Sequence, residues 1–385
     1  MVVMTLDTEK LRKDFPITER CIYFNSGWAG PSPTPVVEAI AETLRREASL
    51  GPASKRFLSE VEEETTGLRN DLGNLLGAGR EEFALTHSTG DGLNIVYSGI
   101  DWKKGDRAIT TNLEHVANIL PLMRLRKRLG VDVVEVEADQ DGLFDPGGFE
   151  EAINEKTKLV TISHVIYMVG TVLPAKEITK IAHEHNVPVL LDMAQSAGCI
   201  QINLKEIGCD YAAARGGKWL LGPGGTGFLY VDLKQLESLS QASIGYQGAR
   251  TEGSEYAPHP DARRFEISEL NAPIYGGLRR AIKYHTDIGK GNVEKRVRSL
   301  AGYLIEKANQ TPNLRVLGTQ NLDLKNGLVT LQVKGQNAAE LVPMLESKHG
   351  IVARAVPKFN AVRISLHIFN TEGEVDALIN TLKSL

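Results

Sequence analysis

The sequence predicts an α/β protein, with a large domain on an open, mostly parallel sheet and a smaller C-terminal α+β domain. Three observations predict it. Helix and strand patterns alternate through the middle of the chain, the order that builds βα units. Strand candidates such as Val187–Asp192 (VPVLLD) and Gly227–Val231 (GFLYV) are apolar almost throughout, as strands covered on both faces are. After about Ala272 the texture changes to a long helical stretch and then a short mixed set of strands and helices. A chain of 385 residues has room for about two or three domains. The large domain is expected over 20–270, and the small one over 1–19 and 271–385.

Each element has a local reason. Thr34 as cap and Pro35 at the first helical position open a helix through VVEAIAETLRREA. Glu81–Thr86 (EEFALT) reads as a strand. It runs into the polar turn HSTGDGLN and then a helix. Asp106–Thr110 is the next strand, followed by a helix around Ile119–Gly130. Lys158–His164 leads to the helix AKEITKIAHEHN, and Val187–Asp192 to MAQSAG. Asp210–Ala214 and Gly227–Val231 complete the set. In the small domain, one helical stretch (YGGLRRAIKYHTDIGKGNVEKRVRSLAGYLIEKAN) precedes GLVTLQV, AAELVPMLESKHG, IVARAV, AVRISLH and EVDALINTLKSL. Thr371 and Glu374 are spaced as a capping box for the last helix.

Composition narrows the function. Hydrophobic residues are 42% and charged residues 24%, close to globular averages. A net charge of -4 gives no bulk attraction to nucleic acid or to an anionic membrane. No run approaches the ~20 apolar residues of a membrane span. The apolar start MVV gives way at once to Asp7, Glu9 and Lys10, unlike a signal peptide. Three cysteines, Cys21, Cys199 and Cys209, form no C-x-x-C, so no disulfide framework or thiol metal site is expected. His183 and His185 are too close for a metal site on one helix face. A cytoplasmic protein without a metal is expected. Glycine alone stands out, at 37 of 385 residues against a usual ~7%.

In an open α/β sheet, ligands bind at the carboxyl ends of strands. Those ends carry Ser88, Thr89 and Gly90, then Glu114 and His115, then His164 and Tyr167. Next come Asp192 and Gln195, and finally Arg215, Gly216, Gly217 and Lys218. Pyridoxal 5'-phosphate needs such a set. It takes a lysine amine for its aldehyde and a carboxylate for its pyridine nitrogen. It also takes a helix N-terminus for its phosphate and a flat group against its ring. Each residue has an ordinary structural reading as well: a surface lysine, a helix cap, an interior histidine, an N-cap turn. Their joint order along one α/β domain is what points to the cofactor. Gly222, Gly224 and Gly227 match G-x-G-x-x-G, but a strand-like FLYV follows where a dinucleotide turn needs a helix.

With these motifs in place, the sequence resembles the class V aminotransferase group of pyridoxal-phosphate enzymes of fold type I. That group includes cysteine desulfurases, isopenicillin N epimerase-like proteins and cyst(e)ine C–S lyases. The resemblance runs from YFNSGWAGPSPTP through LTHSTGDGLNIV, EHVAN, SHVIYMVGTVLP and VPVLLDMAQSAG. It continues through RGGKWLLGPGGTGFLYV, RRFEISELNAPIYGGL and VRISLHIFNTEGEVD. It implies a Lys218 aldimine, Asp192 at the pyridinium, Gln195 at the ring hydroxyl and His115 stacked on the ring. Ser88, Thr89 and Gly90 would hold the phosphate, and His115 and Lys218 would be catalytic. Arg363 would grip the substrate carboxylate, with Asn25 and Tyr167 also at the substrate. Ser268 would reach a neighbouring subunit's cofactor, since a homodimer is the family habit.

Departures from the pattern matter too. Relatives often have Ser/Thr-x-His-Lys where this chain has Arg215-Gly216-Gly217-Lys218, so Arg215 is expected to take over at the phosphate. No cysteine follows Cys209, which argues against a persulfide-forming desulfurase. Tyr167 and the FEISELNAPIYGGL segment look lyase-like. The expected activity is β-elimination from a cyst(e)ine-like amino acid. Transamination and epimerisation are the alternatives within the group. A non-catalytic or nucleotide-binding α/β protein is the alternative outside it.

Overall fold

The computed structural model describes residues 6–139 and 141–385. Met1–Thr5, at the start of the expected 1–19 segment, lie outside them. A seven-stranded sheet forms the centre. From one edge its order is Phe83–Thr86, Gly227–Val231, Tyr211–Arg215, Val189–Asp192, Thr157–Ser163, Arg107–Thr111 and Asp132–Val136. Gly227–Val231 runs antiparallel to both neighbours, and every other pairing is parallel. The expected mostly parallel sheet is therefore present.

The apolar strands bury both faces. Leu191, Ala212, Ala214 and Phe228 enter one core cluster with Leu68, Leu72 and Tyr275. Their neighbours Leu190, Tyr211, Ala213 and Leu229 enter another with Leu93, Val96 and Tyr97. The successive residues of one strand thus serve opposite layers.

A second, antiparallel sheet orders Leu314–Leu317, Leu328–Val333, Ala361–Ser365 and Arg354–Val356. Its core packs Val329, Leu331, Val362 and Ile364 on Leu300, Leu304, Val375 and Leu378. The early segment Ile22–Tyr23 pairs parallel with Ile351–Val352, and Phe24 enters this same core. Helix Ala272–Ile288 sends Tyr275, Leu278 and Ile282 into the core of the large sheet. A buried ion pair ties down the chain before it. Arg69 donates to both oxygens of Glu266 at 2.6 and 2.8 Å, and Glu266 also accepts from Leu85 N at 2.8 Å.

Some local expectations change. Thr34 is already inside its helix. Pro33 holds the cap position, and Thr34 instead donates backbone and hydroxyl to Asp14 O. The strand expected from Glu81 begins at Phe83, after a 3-10 turn over Arg80–Glu82. The single long helical stretch is two helices, Ala272–Ile288 and Lys290–Asn309. Gly289 between them has φ 92, which a side chain would resist. The capping box of Thr371 and Glu374 is formed. Helix Lys55–Leu76 and strand Asp132–Val136 were not among the expected elements. Among the described residues no helix is long and apolar enough to cross a membrane.

Candidate active site

The carboxyl ends of the strands surround a cavity of about 250 Å³. It gathers Ser88, Thr89, Gly90, His115, Tyr167, Asp192, Gln195, Arg215 and Lys218 on its wall. Asn25, Arg363 and Ser268 are not part of that wall.

One end is the start of helix Thr89–Gly99. Ser88 caps it, accepting from Asp91 N at 3.1 Å. The first N–H groups of a helix lack partners inside it, and the positive end of the helix dipole favours an anion. Thr89 Oγ1 is buried there without a hydrogen-bond partner. Arg215 comes to the same cavity, with burial lowering its pKa and no carboxylate among the causes. A side chain on Gly217 would begin 3.2 Å from an Arg215 guanidinium nitrogen. Arg215 thus fills the space beside Gly217.

Asp192 ends its strand with Oδ1 accepting from Ala194 N at 2.8 Å. Burial raises its pKa, while that backbone bond and Lys218 pull the other way. Burial brings the Lys218 amine down to about 7. Arg363, Arg215 and Arg354 push in the same direction, and Asp192 opposes them. The lysine segment is held closely from one side. Gly30 N donates to Gly217 O at 3.1 Å, and a Cβ on Gly30 would fall 2.0 Å from Lys218 O.

His115 caps helix Val116–Leu129, and its Nδ1 accepts from Ala117 N at 3.1 Å. The neutral ring therefore carries its proton on Nε2. Burial, helped by Lys218, Arg354 and Arg363, holds its pKa down at about 4. Its ring meets Tyr167 edge-on at 5.0 Å. Next to it, buried Glu114 accepts from Thr111 Oγ1, Asn118 Nδ2, Ser163 N and Ser163 Oγ at 2.6–2.9 Å. This carboxylate fastens the helix that presents His115 to the neighbouring strand.

Arg363 is 2% exposed and donates through Nη1 to Tyr167 O at 2.9 Å. Its Nε and Nη2 have no partner. Burial, with Arg354 beside it, brings its pKa down to about 9. Asn25 runs alongside through a backbone bridge to Ser365, and its buried Oδ1 is also without a partner. Ser268 lies in an exposed stretch of chain. His164 turns away from the cavity to a groove it shares with His183.

Two residues here escaped the sequence reading. Arg354 stands opposite Arg363 in the strand register, and its guanidinium lies 3.5 Å from the Trp28 ring centroid. Burial lowers its pKa, opposed by Tyr167, and no carboxylate is among the causes. Hairpin register could have revealed the pair, since the turn between the two strands is short. The Trp28 contact joins residues more than three hundred positions apart and left no such signal.

Residues 22–378 match the family model described as aminotransferase class-V. The chain belongs to this family. Class V relatives include a probable cysteine desulfurase of Methanothermobacter thermautotrophicus, 32% identical over 98% of both chains. Among solved structures, the apo cysteine desulfurase of Thermococcus onnurineus NA1 superposes with a TM-score of 0.92. The two are 28% identical, covering 100% of this chain and 99% of the other. The cystine C–S lyase complexed with its product cysteine persulfide gives 0.91 at 27% identity, over 96% and 99%. A mutant of that lyase carries glycine covalently linked to its pyridoxal-phosphate cofactor, with a TM-score of 0.91 at 26% identity over 97% and 99%. This class V chain is a pyridoxal-phosphate-dependent enzyme. The cavity suits that group, with an anion-binding helix start, a buried carboxylate with spare acceptor capacity and an amine of lowered pKa.

Proposed function

We propose that the enzyme cleaves a C–S bond by β-elimination from a cystine-like amino acid, one with acid groups at both ends. The observation that carries this is the pair Arg363 and Arg354: adjacent in the strand register, with no carboxylate among the groups that shift them, and near enough to the cavity to act on Lys218 and His115 in its wall. Two uncompensated guanidinium forks suit two carboxylates. The names of the relatives support a sulfur substrate. The cysteines speak against a desulfurase-type persulfide carrier. Cys199 and Cys209 are buried with raised thiol pKa values, and none follows them.

Pyridoxal phosphate, when bound, acts as the electron sink that makes the substrate Cα–H acidic. The protein supplies the rest. Thr89, Gly90 and Ser88 at the helix start would receive the phosphate, with Arg215 adding charge. Asp192 would hold the proton on the pyridine nitrogen, Gln195 would meet the ring oxygen, and neutral His115 would lie on the ring face. The Lys218 amine, near neutrality in pKa, can take up and return a proton at working pH. Arg363 would hold the α-carboxylate beside Asn25 and Tyr167, and Arg354 the distal one. Two copies of the chain would complete the unit. Ile244, Tyr246 and Ile267 are exposed around Ser268, and a second copy would cover them.

The test is product analysis. The holoenzyme is incubated with cystine, cysteine, an S-alkyl cysteine and a panel of other amino acids. Pyruvate, sulfide and persulfide, keto acid and optical inversion are measured separately. Pyruvate with persulfide from cystine supports the proposal. Keto acid or inversion without pyruvate would replace it with transamination or epimerisation.

A further inference from the structure

Trp219 follows Lys218 in sequence and is fully buried. Its indole N–H donates to Gln195 Oε1 at 2.8 Å. An indole nitrogen can only donate, so the atom it faces is the amide oxygen. The amide nitrogen then donates to Gly27 O at 2.9 Å. That leaves Gln195, a residue of the cavity wall, with one amide N–H not engaged among the described residues.

The indole is itself held. Ile368 N–H donates to His367 Nδ1 at 2.8 Å. A ring nitrogen that accepts carries no proton, so the proton of the neutral ring sits on Nε2. Nε2 lies 3.0 Å from Trp219 O and donates to it. The two rings stack at 5.5 Å and 25°, and His367 stacks in turn on Phe369 at 5.6 Å and 3°. Burial, with His285 nearby, keeps His367 neutral, its pKa down at about 3. His285 closes the group edge-on at 6.1 Å. A Cβ on Gly327 would sit 3.0 Å from the indole, so the ring has little room to turn.

We propose that Trp219 and His367 are positioning residues that lock the Gln195 amide with its N–H facing the cofactor's ring oxygen. This rests on the assignment of Gln195 to that oxygen. A fixed donor favours the negative form of the oxygen. The visible band of the holoenzyme therefore titrates at lower pH than it would beside a freely turning amide.

The experiment titrates the visible spectrum of the holoenzyme and of Trp219→Phe, His367→Phe, His367→Gln and Gln195→Ala, with far-UV circular dichroism on each. Trp219→Phe, His367→Phe and Gln195→Ala should raise the midpoint by about one pH unit, the scale of one lost hydrogen bond to a charged group. His367→Gln, whose amide can still donate to Trp219 O, should restore most of that shift. If Gln195→Ala moves the band and folded Trp219→Phe and His367→Phe do not, the lock is refuted. If Gln195→Ala leaves the band in place, the Gln195 assignment fails and the lock with it. Should Trp219→Phe not fold, the two His367 variants decide.

Discussion

Replacing Arg354 by methionine should separate substrates with one acid group from those with two. Among the described residues Arg354 pairs with no carboxylate, and its planar head rests on Trp28. Removing it therefore breaks no internal ion pair, and methionine keeps much of the contact with the indole. What is lost is the contact to a second substrate carboxylate. Hydrogen bonds to charged groups contribute about 1.5–3 kcal/mol, or roughly 10- to 150-fold at about 1.36 kcal/mol per decade. Trp28 is 51% exposed, so water screens this end and the low part of the range applies, about 10- to 30-fold. The assay is pyruvate release, read as kcat/KM for cystine and for an S-alkyl cysteine. Cystine should lose about 10- to 30-fold, and the one-acid substrate less than about threefold on the same reasoning. Equal losses on both substrates would refute the reasoning, since Arg354 would then serve the site as a whole.

Four further outcomes follow from the same geometry. Lys218→Ala should abolish the adduct trapped by borohydride from the holoenzyme; a persisting adduct would assign the imine to another lysine. Lys218→Met should also stabilise the cofactor-free protein, and more so in acid. An unfolded lysine titrates near 10.4 and the folded one at about 7. Below pH 7 both states are protonated and the fold bears the buried charge in full. Between about 7 and 10.4 the unfolded chain binds more protons, so native stability rises with pH there. The gain in Tm from the substitution should accordingly be larger at pH 6 than at pH 10, and calorimetry showing equal gains would contradict this. Gly30→Ala should weaken cofactor retention, because its Cβ would fall 2.0 Å from Lys218 O; unchanged cofactor binding on equilibrium dialysis counts against the close approach. Glu266→Gln leaves Arg69 buried without its ion pair, and urea denaturation should show a loss of about 3–5 kcal/mol.

The strand ends that line the cavity were legible because parallel topology puts ligands there whatever the details. Ser88, Thr89, Gly90, His115, Asp192, Gln195, Arg215 and Lys218 were all named from those ends, and all line one cavity. What escaped had a different origin. Asp132–Val136 is an edge strand that is half exposed, so it lacks the continuous apolar run of its neighbours. Thr34 looks like a cap by residue type, yet the preceding proline already has extended backbone and Asp14 O claims the hydroxyl. The break at Gly289 hides because glycine alone does not end a helical pattern. Trp28, Trp219 and His367 make contacts between distant parts of the chain, and no local spacing records those; Arg354 alone had a local signal, the short hairpin that sets it opposite Arg363.

The short strand Ile22–Tyr23 looks minor, but it joins three remote stretches. It pairs with Ile351–Val352, and Asn25 follows it to meet Ser365. Gly30 then binds the peptide beside Lys218. The surroundings of Lys218 are therefore complete only when nearly the last residues of the chain have joined nearly the first. Contacts of such sequence separation form late and slowly. During synthesis, Lys218 is added more than halfway along the chain, and these surroundings close only after residues up to Ser365 have emerged.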